Sequence, residues 1–568
     1  MTERKRILVI GAGVSGLTAI KSCLEEDLQP VCFERDDQLG GVWYYTEDLR
    51  PGQSSAAYKS IISNNTKETL CFSDFPLRKE DPAYLPYDAV TQYLVNYANH
   101  FGLCKYIHYN RNVVKVEMCK DYETTGQWDV SYVDGASGGG DVTVETFDGI
   151  MVCSGGGLGK PHIPAISGLG KFKGITIHGN AYRQPAPFIG KRVIVVGASN
   201  TAGEVSCELG RNYCSKVYLS VRSPYIVCPR IANDGWPTTM FLAQRIRQML
   251  PACVGNNKLD KSSHCTIYSP GSAQRTQKSA GIMVNDEILD RIACNHVNVV
   301  PEIARITETS VEFMDGSVID DVDVIILATG YEISYPIIDE TLIFDETEKL
   351  NLYRYILPLG LKHNTLMIIG SLLKFIPAAF NVLELQSRWS ARLLSGRLNL
   401  PDMKTMIKDI HRRPRVGRLY DPFICISYQD DIARDIGALP TLWNLLFPDP
   451  RLIYEYYVGP AIGAWYRLRG PATWDGAKQT ILSTWDNTKY PLNQTTNAIK
   501  SEKSSLFKQS LFLAGGFCFV YLKEDLCGAD FKKKKTMRPV MKEAYEKGEK
   551  VRFSNGTVYI NGQRYKEN

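Results

Sequence analysis

Residues 7–16 read ILVIGAGVSG, an apolar β-branched run that ends in a glycine-rich turn. Gly11, Gly13 and Gly16 have the GxGxxG spacing. Glycine permits a tight bend and lets the backbone approach a pyrophosphate, which the N–H groups at the start of the next helix then bind. The next predicted strand ends in Glu34, an acid that suits a ribose 2′-OH. The chain therefore opens with a predicted site for FAD or NAD.

A second turn lies at residues 193–203, which read VIVVGASNTAG. Gly197 matches the first glycine, Ser199 replaces the middle one, and Ala202 takes the third place. The predicted helix begins there, so the candidate nucleotide-binding residues also include Asn200 and Thr201.

The predicted strand that follows the second turn ends in Arg222. A site for an unphosphorylated ribose would have an acidic residue at this position. An arginine pairs with a 2′-phosphate, whereas a carboxylate would repel it. We therefore expect NADP(H) at the second turn, and electron transfer between the two nucleotides.

Length and composition limit the classes of protein to consider. The chain has 568 residues, which suits two or three domains, and its net charge of +5 does not indicate a nucleic-acid partner. The 15 cysteines show no paired CxxC metal spacing, so we expect no metal site and reduced thiols facing the cytosol. The first predicted strand begins at Arg6, so no signal peptide is expected.

Hairpins and buried strands follow each turn in the same order. The stretches 128–146 and 311–319 read as hairpins, and 324–327 as a buried strand. This repetition predicts an α/β fold with two Rossmann-like dinucleotide-binding domains, one inserted into the other. The FAD domain comprises 1–154 and 331–505, the NADPH domain comprises 155–330 with an insertion at 223–295, and a tail follows at 506–568.

Further along, 366–370 reads as a buried strand and 380–394 as a helix, while 554–557 reads as the turn of a last hairpin. Within the insertion, 240–250 reads as an amphipathic helix.

The tail raises the question of a membrane. Its apolar run at 511–522 is shorter than the roughly 20 residues that span a bilayer, and a lysine cluster follows at 532–535. This pattern predicts attachment to a membrane surface, supplemented by the helix at 240–250, or alternatively a last core strand followed by a solvated charge run. The oligomeric state stays open, a homodimer included.

Two nucleotides allow a disulfide reductase, hydride transfer to another carrier, or oxygen activation by a reduced flavin. The early cysteines Cys23, Cys32 and Cys71 are too far apart to form a sequence-adjacent redox pair, which disfavours a disulfide reductase.

Between the turns, a fingerprint F-x-G-x-x-x-H-x-x-x-Y resembles that of the animal-type flavin-containing monooxygenases, which are class B flavoprotein monooxygenases; it consists of Phe172, Gly174, His178 and Tyr182. Five other stretches are similar to motifs of the same family, and the resemblance runs from about residue 4 to 495: 40–43 (GGVW), 63–76, 328–331 (ATGY), 385–389 and 470–477.

The resemblance implies that NADPH reduces FAD and that oxygen then forms a C4a-hydroperoxyflavin, which oxygenates an amine nitrogen or a sulfide sulfur. It implies that Asn64 supports this adduct, an amide role that needs both a donor and an acceptor. It gives flavin contacts to Gly40, Gly41, Trp43 and Gln386, and cofactor contacts at the return linker to Thr329 and Gly330. For His178 we expect a structural and gating role that orients the two domains, rather than proton transfer; the alternative is a satisfied histidine with no chemistry.

We further expect Tyr58 and Lys59 to contact the flavin or the nicotinamide. Vertebrate members of the family usually end in a hydrophobic tail, whereas here the run at 511–522 is short and 46 residues follow it. We therefore expect peripheral or monotopic attachment to the endoplasmic reticulum membrane, with a cytoplasmic protein as the alternative. Competing functions are a Baeyer–Villiger oxygenase acting on ketones, and an uncoupled NADPH oxidase or nucleotide-binding scaffold. The sequence does not identify the substrate.

Overall fold

The structure is a computed structural model that divides into two compact units, Met1–Thr495 and Thr496–Asn568. It describes residues 4–47, 57–135, 140–155, 160–232, 235–246, 266–268, 281–347, 349–371, 379–413, 422–492, 551–554, 557–560 and 563–564.

The first unit contains both helices and strands, and the last three strands in the chain belong to the second unit. The helices with described bounds are α1 (Val14–Glu25), α2 (Lys67–Leu70), α3 (Tyr87–His100), α4 (Tyr122–Thr125), α5 (Asn200–Leu209), α6 (Thr238–Leu242), α7 (Ile288–Ala293), α8 (Ala379–Leu394), α9 (Met403–Arg412), α10 (Pro422–Asp435), α11 (Leu442–Leu446), α12 (Arg451–Val458) and α13 (Ala477–Lys489). The described strands are β1 (Arg6–Ile10), β2 (Gln29–Phe33), β3 (Ile107–His108), β4 (Arg111–Met118), β5 (Trp128–Asp134), β6 (Val142–Phe147), β7 (Gly149–Val152), β8 (Lys160–Pro161), β9 (Ile175–His178), β10 (Arg192–Val196), β11 (Lys216–Ser220), β12 (Tyr225–Cys228), β13 (Thr266–Tyr268), β14 (Gly281–Val284), β15 (Val297–Val300), β16 (Ile303–Ile306), β17 (Val311–Phe313), β18 (Val318–Ile319), β19 (Val324–Leu327), β20 (Tyr331–Glu332), β21 (Leu352–Tyr353), β22 (Leu357–Pro358), β23 (Leu366–Ile368), β24 (Val551–Ser554), β25 (Thr557–Ile560) and β26 (Gln563–Arg564).

The first turn belongs to a five-stranded parallel sheet in the order β23-β7-β1-β2-β3. Ile10 is paired with both Phe33 and Val152, so the first glycine-rich turn lies at the carboxyl edge of the sheet. Helix α1 follows this turn, and α8 packs against it. Because the central strands are covered on both faces, their apolar runs are almost continuous, as parallel sheets require.

The second turn belongs to another five-stranded parallel sheet, in the order β15-β11-β10-β19-β9. Here β10 leads into α5, as β1 leads into α1. The antiparallel hairpins β4–β5–β6 and β16–β17–β18 accompany the first and second sheets respectively, and contribute to cores shared with them. The predicted α/β fold with two Rossmann-like halves is therefore confirmed.

Several predicted elements are confirmed closely. The two hairpins form at β5–β6 and β17–β18, the buried strands form as β19 and β23, and the predicted helix at 380–394 is α8. In the second unit, β24 and β25 pair antiparallel around the predicted last turn, whose central residues lie outside the described part of the chain.

The amphipathic helix predicted at 240–250 is interrupted at 243–244, between the end of α6 and residues 245–246, which are helical again. Helix α6 ends at Leu242, and the following backbone bonds elsewhere, because Ala461 N–H donates to the carbonyl of Ala243 (2.7 Å) and Gln244 bridges to Pro460. Arg245 then turns inward to pair with Asp430 at 2.8 Å. A distant segment thus captures backbone groups that a helix would use, and this competition is invisible to apolar periodicity. Residues 247–250 lie outside the described residues.

The expectation of reduced thiols holds for only part of the described chain. Ten described cysteines are free, and Cys228 is disulfide-bonded. The spacing argument tested only sequence-adjacent pairs, whereas a disulfide requires only that the two Cα atoms lie within about 7 Å in the fold.

Within the described residues, no helix is both long and apolar enough to cross a bilayer. The predicted attachment segment at 511–522 and the lysines at 532–535 lie outside those residues.

Candidate functional site

The first turn is shaped by steric limits that only glycine meets. Gly11 has φ of +100°, and a Cβ there would lie 2.9 Å from the carbonyl oxygen of Cys153. A Cβ at Gly16 would overlap the carbonyl oxygen of Gly11, because α1 crosses close to the end of β1. Gly13 precedes α1, and no side chain caps the helix there. No side chain caps the first N–H groups of α1, so these groups can bind an anionic ligand.

The GGVW motif packs onto this turn. Gly40 N–H donates to the carbonyl of Ala12 (3.2 Å), and a Cβ at Gly41 would lie 3.1 Å from the Cα of Gly13. Trp43 is half-buried, and its carbonyl accepts from the hydroxyl of Thr91 at 2.8 Å. The structure thus brings both predicted flavin motifs together at one edge of the sheet.

Glu34 lies beside the same turn. Its two carboxylate oxygens accept from the N–H groups of Ala12 (2.6 Å) and Asp36 (2.9 Å). Burial raises the pKa of Glu34, and the two backbone donors oppose that shift only in part. These residues form a cradle that fits a dinucleotide with a free ribose hydroxyl.

The second turn repeats this construction. A Cβ at Gly197, where φ is +141°, would overlap the carbonyl oxygen of Ala328. Ser199 is exposed at the start of α5 and does not cap it with its side chain, whereas Ala202 is fully buried under the helix. Ser199 therefore leaves the start of α5 uncapped, as Gly13 does at the first turn.

Two further residues at the second turn take different places. Asn200 accepts from the N–H of Val284 through Oδ1 (2.7 Å), which ties the start of α5 to β14. Thr201 is half-buried, with its methyl group 3.1 Å from where a Cβ on Gly179 would lie. The site thus lies close to the fingerprint segment.

Arg222 follows β11, whose last residue accepts from the N–H of Gly197 (3.0 Å). Its side chain is exposed and forms no ion pair with any residue in the described part of the chain. The charge is therefore available to an anionic ligand that occupies the second turn.

The fingerprint residues connect the two halves of the first unit. His178 ends β9, and its Nε2 donates to the carbonyl of Gly330 (3.0 Å) while Nδ1 accepts from the N–H of Asn180 (3.2 Å). This tautomer is assigned from the two backbone partners. His178 is thereby bonded to the point where the chain returns to the first sheet, and its structural and gating role stays a prediction.

The same crossing is fastened by two short strands. β8 and β20 pair antiparallel, and the carbonyl of Gly330 also accepts from the N–H of His162 (2.9 Å). The hydroxyl of Thr329 donates to the carbonyl of His162. Thr329 and Gly330 are thus engaged in the junction itself.

The other fingerprint residues are structural in this fold. Tyr182 is fully buried and its hydroxyl donates to Glu208 on α5 at 2.7 Å. A Cβ at Gly174 would lie 2.5 Å from the carbonyl of Asp323, and Phe172 packs beside it. They fix the segment that carries His178.

Asn64 lies in the segment before α2 and is half-buried. Its Oδ1 accepts from Nη2 of Arg230 at 2.8 Å. The same Nη2 donates to Glu204 on α5 at 2.6 Å, and the other oxygen of Glu204 accepts from the hydroxyl of Tyr58. Asn64 is thereby held next to the helix that follows the second turn.

Three sequence expectations meet a different geometry. Tyr58 is buried in the core of the second sheet, and burial raises its pKa well above the usual range, while Lys59 is exposed. Gln386 is 0% exposed, and its amide is bonded to the N–H of Gly370 (2.9 Å) and the hydroxyl of Tyr428 (2.7 Å). Direct cofactor contacts of these three residues stay predictions.

Sequence reasoning missed a buried ion cluster centred on Arg467. This side chain pairs with Glu384 (2.8 Å), Asp74 (3.1 Å) and Glu25 (3.1 Å), and donates to the hydroxyl of Ser73 (2.6 Å). It ties the loop after α2 to α1 and α8. Among the described residues no group of three or more His, Cys, Asp or Glu side chains could hold a metal ion.

Sequence reasoning also missed Arg230. It lies in the insertion to which the sequence assigned no roles, and no motif distinguishes it from other arginines. Only folding places it against Asn64.

Two parallel sheets with one uncapped glycine-rich helix start each, joined through a paired linker, define an oxidoreductase of the kind that binds a flavin and a nicotinamide dinucleotide. A family model described as FMO-like, flavin-binding monooxygenase-like, matches residues 4–522. The chain belongs to this family, so it is an NADPH-dependent flavin monooxygenase that binds FAD and uses O2 with small-molecule substrates. The predicted family, enzyme class and cofactors are confirmed.

Relatives agree with this assignment, and a solved structure shares the fold. The human dimethylaniline monooxygenase (N-oxide-forming) 4 is 38% identical over 519 residues, which cover 88% of this chain and 91% of that protein. The rat flavin-containing monooxygenase 5 is 36% identical over 537 residues, covering 91% and 99%. The S-allyl-L-cysteine S-oxygenase from Allium sativum, at 23% identity and a TM-score of 0.56, covers 85% of this chain and 99% of its own and shares the fold.

Proposed function

We propose that the protein oxygenates a soft nucleophile, an amine nitrogen or a sulfide sulfur, with Asn64 as the residue that supports the oxygen-bearing flavin. The observation that carries this proposal is the state of the Asn64 amide, whose oxygen is engaged by Arg230 so that its NH2 group is left to donate. An amide neither titrates nor delivers a proton as a carboxylic acid would. Relatives named for N-oxide formation belong to the same family.

The residues around the two turns would hold the cofactors. FAD, when bound, supplies the redox and oxygen-activating chemistry, with electrons from NADPH. The FAD contacts that we propose are Gly11, Gly13, Gly16, Glu34, Gly40, Gly41, Trp43 and Gln386. The NADPH contacts that we propose are Gly197, Ser199, Asn200, Thr201, Ala202 and Arg222, with Thr329 and Gly330 at the linker. The boundaries 1–154 with 331–505 for the FAD domain, and 155–330 for the NADPH domain, belong to this proposal.

One experiment tests the activity. Enzyme reduced without oxygen, with NADP+ present, is mixed with oxygen and with N,N-dimethylaniline, methyl phenyl sulfide or cyclohexanone. We expect oxidised-flavin absorbance to return only after a delay that the amine or the sulfide shortens, with N-oxide or sulfoxide as product. Immediate return with hydrogen peroxide would overturn the proposal in favour of an uncoupled oxidase. Ester formation from cyclohexanone alone would favour the Baeyer–Villiger alternative.

A pair of variants tests the residue. Asn64→Ala should keep the rate of flavin reduction by NADPH but shorten the delay and shift consumed NADPH toward hydrogen peroxide. Asn96→Ala, on the exposed face of α3, is the matched control and should behave as the unchanged protein. An unaltered delay in Asn64→Ala contradicts the role of Asn64.

We also propose peripheral attachment to the endoplasmic reticulum membrane. Helix α11 and the residue after it expose a cluster of large apolar side chains, among them Trp443 at 65% and Phe447 at 79% exposure. These two rings stack at 5.6 Å, and Leu442 and Leu446 are exposed beside them. Exposed tryptophan and leucine side chains favour a membrane interface.

Sedimentation with anionic phospholipid vesicles tests this attachment. Replacing Trp443 and Phe447 together by serine should lower the bound fraction several-fold, whereas replacing the exposed β6 residues Val142 and Val144 by serine should leave it unchanged. Equal binding of both variants contradicts the patch, and a protein that never sediments supports the cytoplasmic alternative. The homodimer stays a prediction.

A further inference from the structure

Arg230 connects three separate segments around Asn64. Its Nη2 donates to Asn64 Oδ1 (2.8 Å) and to Glu204 on α5 (2.6 Å), and its Nη1 donates to Asp286 just before α7 (2.9 Å). Its Nε donates to the carbonyl of Ser63 at 3.3 Å. One guanidinium therefore contacts the loop that carries Asn64 and two segments that pack around the second sheet.

The guanidinium is both enclosed and neutralised. The side chain of Arg230 is 11% exposed and that of Glu204 is 14% exposed. Burial by itself lowers the pKa of Arg230, but Glu204 and Asp286 outweigh it and the net shift is upward, so the group stays charged. Because two carboxylates already balance this charge, the contact with the neutral Asn64 amide serves geometry rather than charge compensation.

The backbone of Arg230 is fixed as well. Its N–H donates to Asp286 at 2.7 Å, and its carbonyl accepts from the N–H of Thr238 (2.8 Å) and the hydroxyl of Tyr84. The Arg230 side chain is thus fixed at its backbone and at its planar guanidinium group. A flexible lysine ammonium would not reproduce this geometry.

This arrangement decides which end of the Asn64 amide is free. If the amide were turned over, its NH2 group would face the N–H donors of Arg230, and donors would be left unsatisfied on both sides. Oδ1 therefore faces Arg230, and the NH2 group points away from it.

We propose that Arg230 is a positioning residue that sets the orientation of the Asn64 amide and fastens it, through Glu204, to the helix of the second nucleotide site. The proposal rests on the function proposed for Asn64. It gives the insertion that follows the second turn a role in the oxygen half of the reaction.

A double-mutant cycle tests this role. Arg230→Lys keeps a positive charge for Glu204 and Asp286 but loses the fork, so we expect the delay before oxidised-flavin absorbance returns to shorten about tenfold. In an Asn64→Ala background the same substitution should change the delay less than twofold, because residues that act through one another are not additive. Equal shortening in both backgrounds, or none in either, overturns the proposal.

A second measurement is independent of turnover. Hydrogen exchange of backbone amides at 63–66 in the oxidised holoenzyme should become faster in Arg230→Lys. Arg211→Lys is the matched control, since Arg211 is 47% exposed and pairs with Glu287 near the same helix. Unchanged exchange in Arg230→Lys contradicts the positioning role. If the unchanged protein shows no delay at all, the proposed function fails, and the exchange result still decides on Arg230.

Discussion

At the scale of single residues, the two turns depend on glycine, which has no side chain. Gly11 and Gly197 have positive φ angles, and a Cβ at either would meet a carbonyl oxygen of a neighbouring strand end. Gly16 lets α1 approach the turn that precedes it. Glycine at these positions therefore leaves the backbone N–H groups open to the nucleotide that we propose to bind there.

Gly16→Ala tests this steric limit. The added methyl group overlaps the carbonyl of Gly11, so α1 must shift, and we expect a loss of about 3 kcal/mol or more in stability together with loss of bound FAD. Urea unfolding and flavin content measure the two effects. Gly170→Ala is the control, because no atom lies within 4 Å of its added Cβ, and it should change stability by less than about 0.5 kcal/mol.

Arg222 is the residue that we propose to distinguish NADPH from NADH. Arg222→Ala should raise KM for NADPH about tenfold or more, since a charge-assisted hydrogen bond contributes about 1.5–3 kcal/mol, and should leave KM for NADH within about twofold. Steady-state rates with both cofactors measure this, with Arg211→Ala as the control. Equal increases for both cofactors mean that Arg222 does not contact the 2′-phosphate.

At the scale of elements, the short helix α2 carries a buried carboxyl group directly after the Asn64 segment. Glu68 is enclosed against α13, and burial raises its pKa to about 7 although Lys67 lies 4.0 Å away. The folded protein therefore holds the proton of Glu68 more tightly than the unfolded chain, whose usual value is near 4.5.

Stability should consequently depend on pH through Glu68. The contribution of this group is complete below about pH 4.5 and is lost as the pH rises through about 7, by up to about 3 kcal/mol. Glu68→Gln should flatten this part of a plot of unfolding free energy against pH. The exposed Glu80→Gln should not, and an unaltered slope in Glu68→Gln would show that another group titrates.

At the scale of the whole molecule, the chain crosses twice between the two sheets of the first unit, and both crossings meet at one point. The carbonyl of Gly330 accepts from His162 of the outgoing segment and from His178 of the fingerprint. The strands β8 and β20 pair beside it. The two halves of the first unit are therefore joined at the linker by one backbone hydrogen bond and one from the His178 side chain, both to the carbonyl of Gly330.

His178→Ala tests this junction. Losing the bond to Gly330 should slow flavin reduction by NADPH about tenfold, because hydride transfer is sensitive to small misplacements, while reduction by dithionite stays unchanged. Anaerobic stopped-flow absorbance measures both rates. His162→Ala removes a half-exposed imidazole from the same junction but keeps its backbone bond, and it should reduce normally. Equal rates in all three proteins contradict a role for His178 in domain placement.

The sequence alone was sufficient for the features that are local. A turn between a strand and a helix is specified by neighbouring residues, so the two glycine-rich turns and the hairpins could be predicted. The strands predicted to end at Glu34 and Arg222 end one and two residues earlier, at Phe33 and Ser220. The order of these units along the chain predicted two nucleotide-binding halves, because each strand–turn–helix unit forms one side of a parallel sheet.

Only the tertiary structure decided the features that depend on distant partners. The helix predicted at 240–250 is interrupted by hydrogen bonds to residues 460–461. Cys228 is disulfide-bonded. The side-chain amide of Gln386 is hydrogen-bonded to Gly370 and Tyr428. Arg230 reaches Asn64 across 166 positions of sequence. Hydrogen bonds and ion pairs form between groups that folding brings within about 3 Å of each other. The pattern of residues along the sequence does not specify which distant groups come that close.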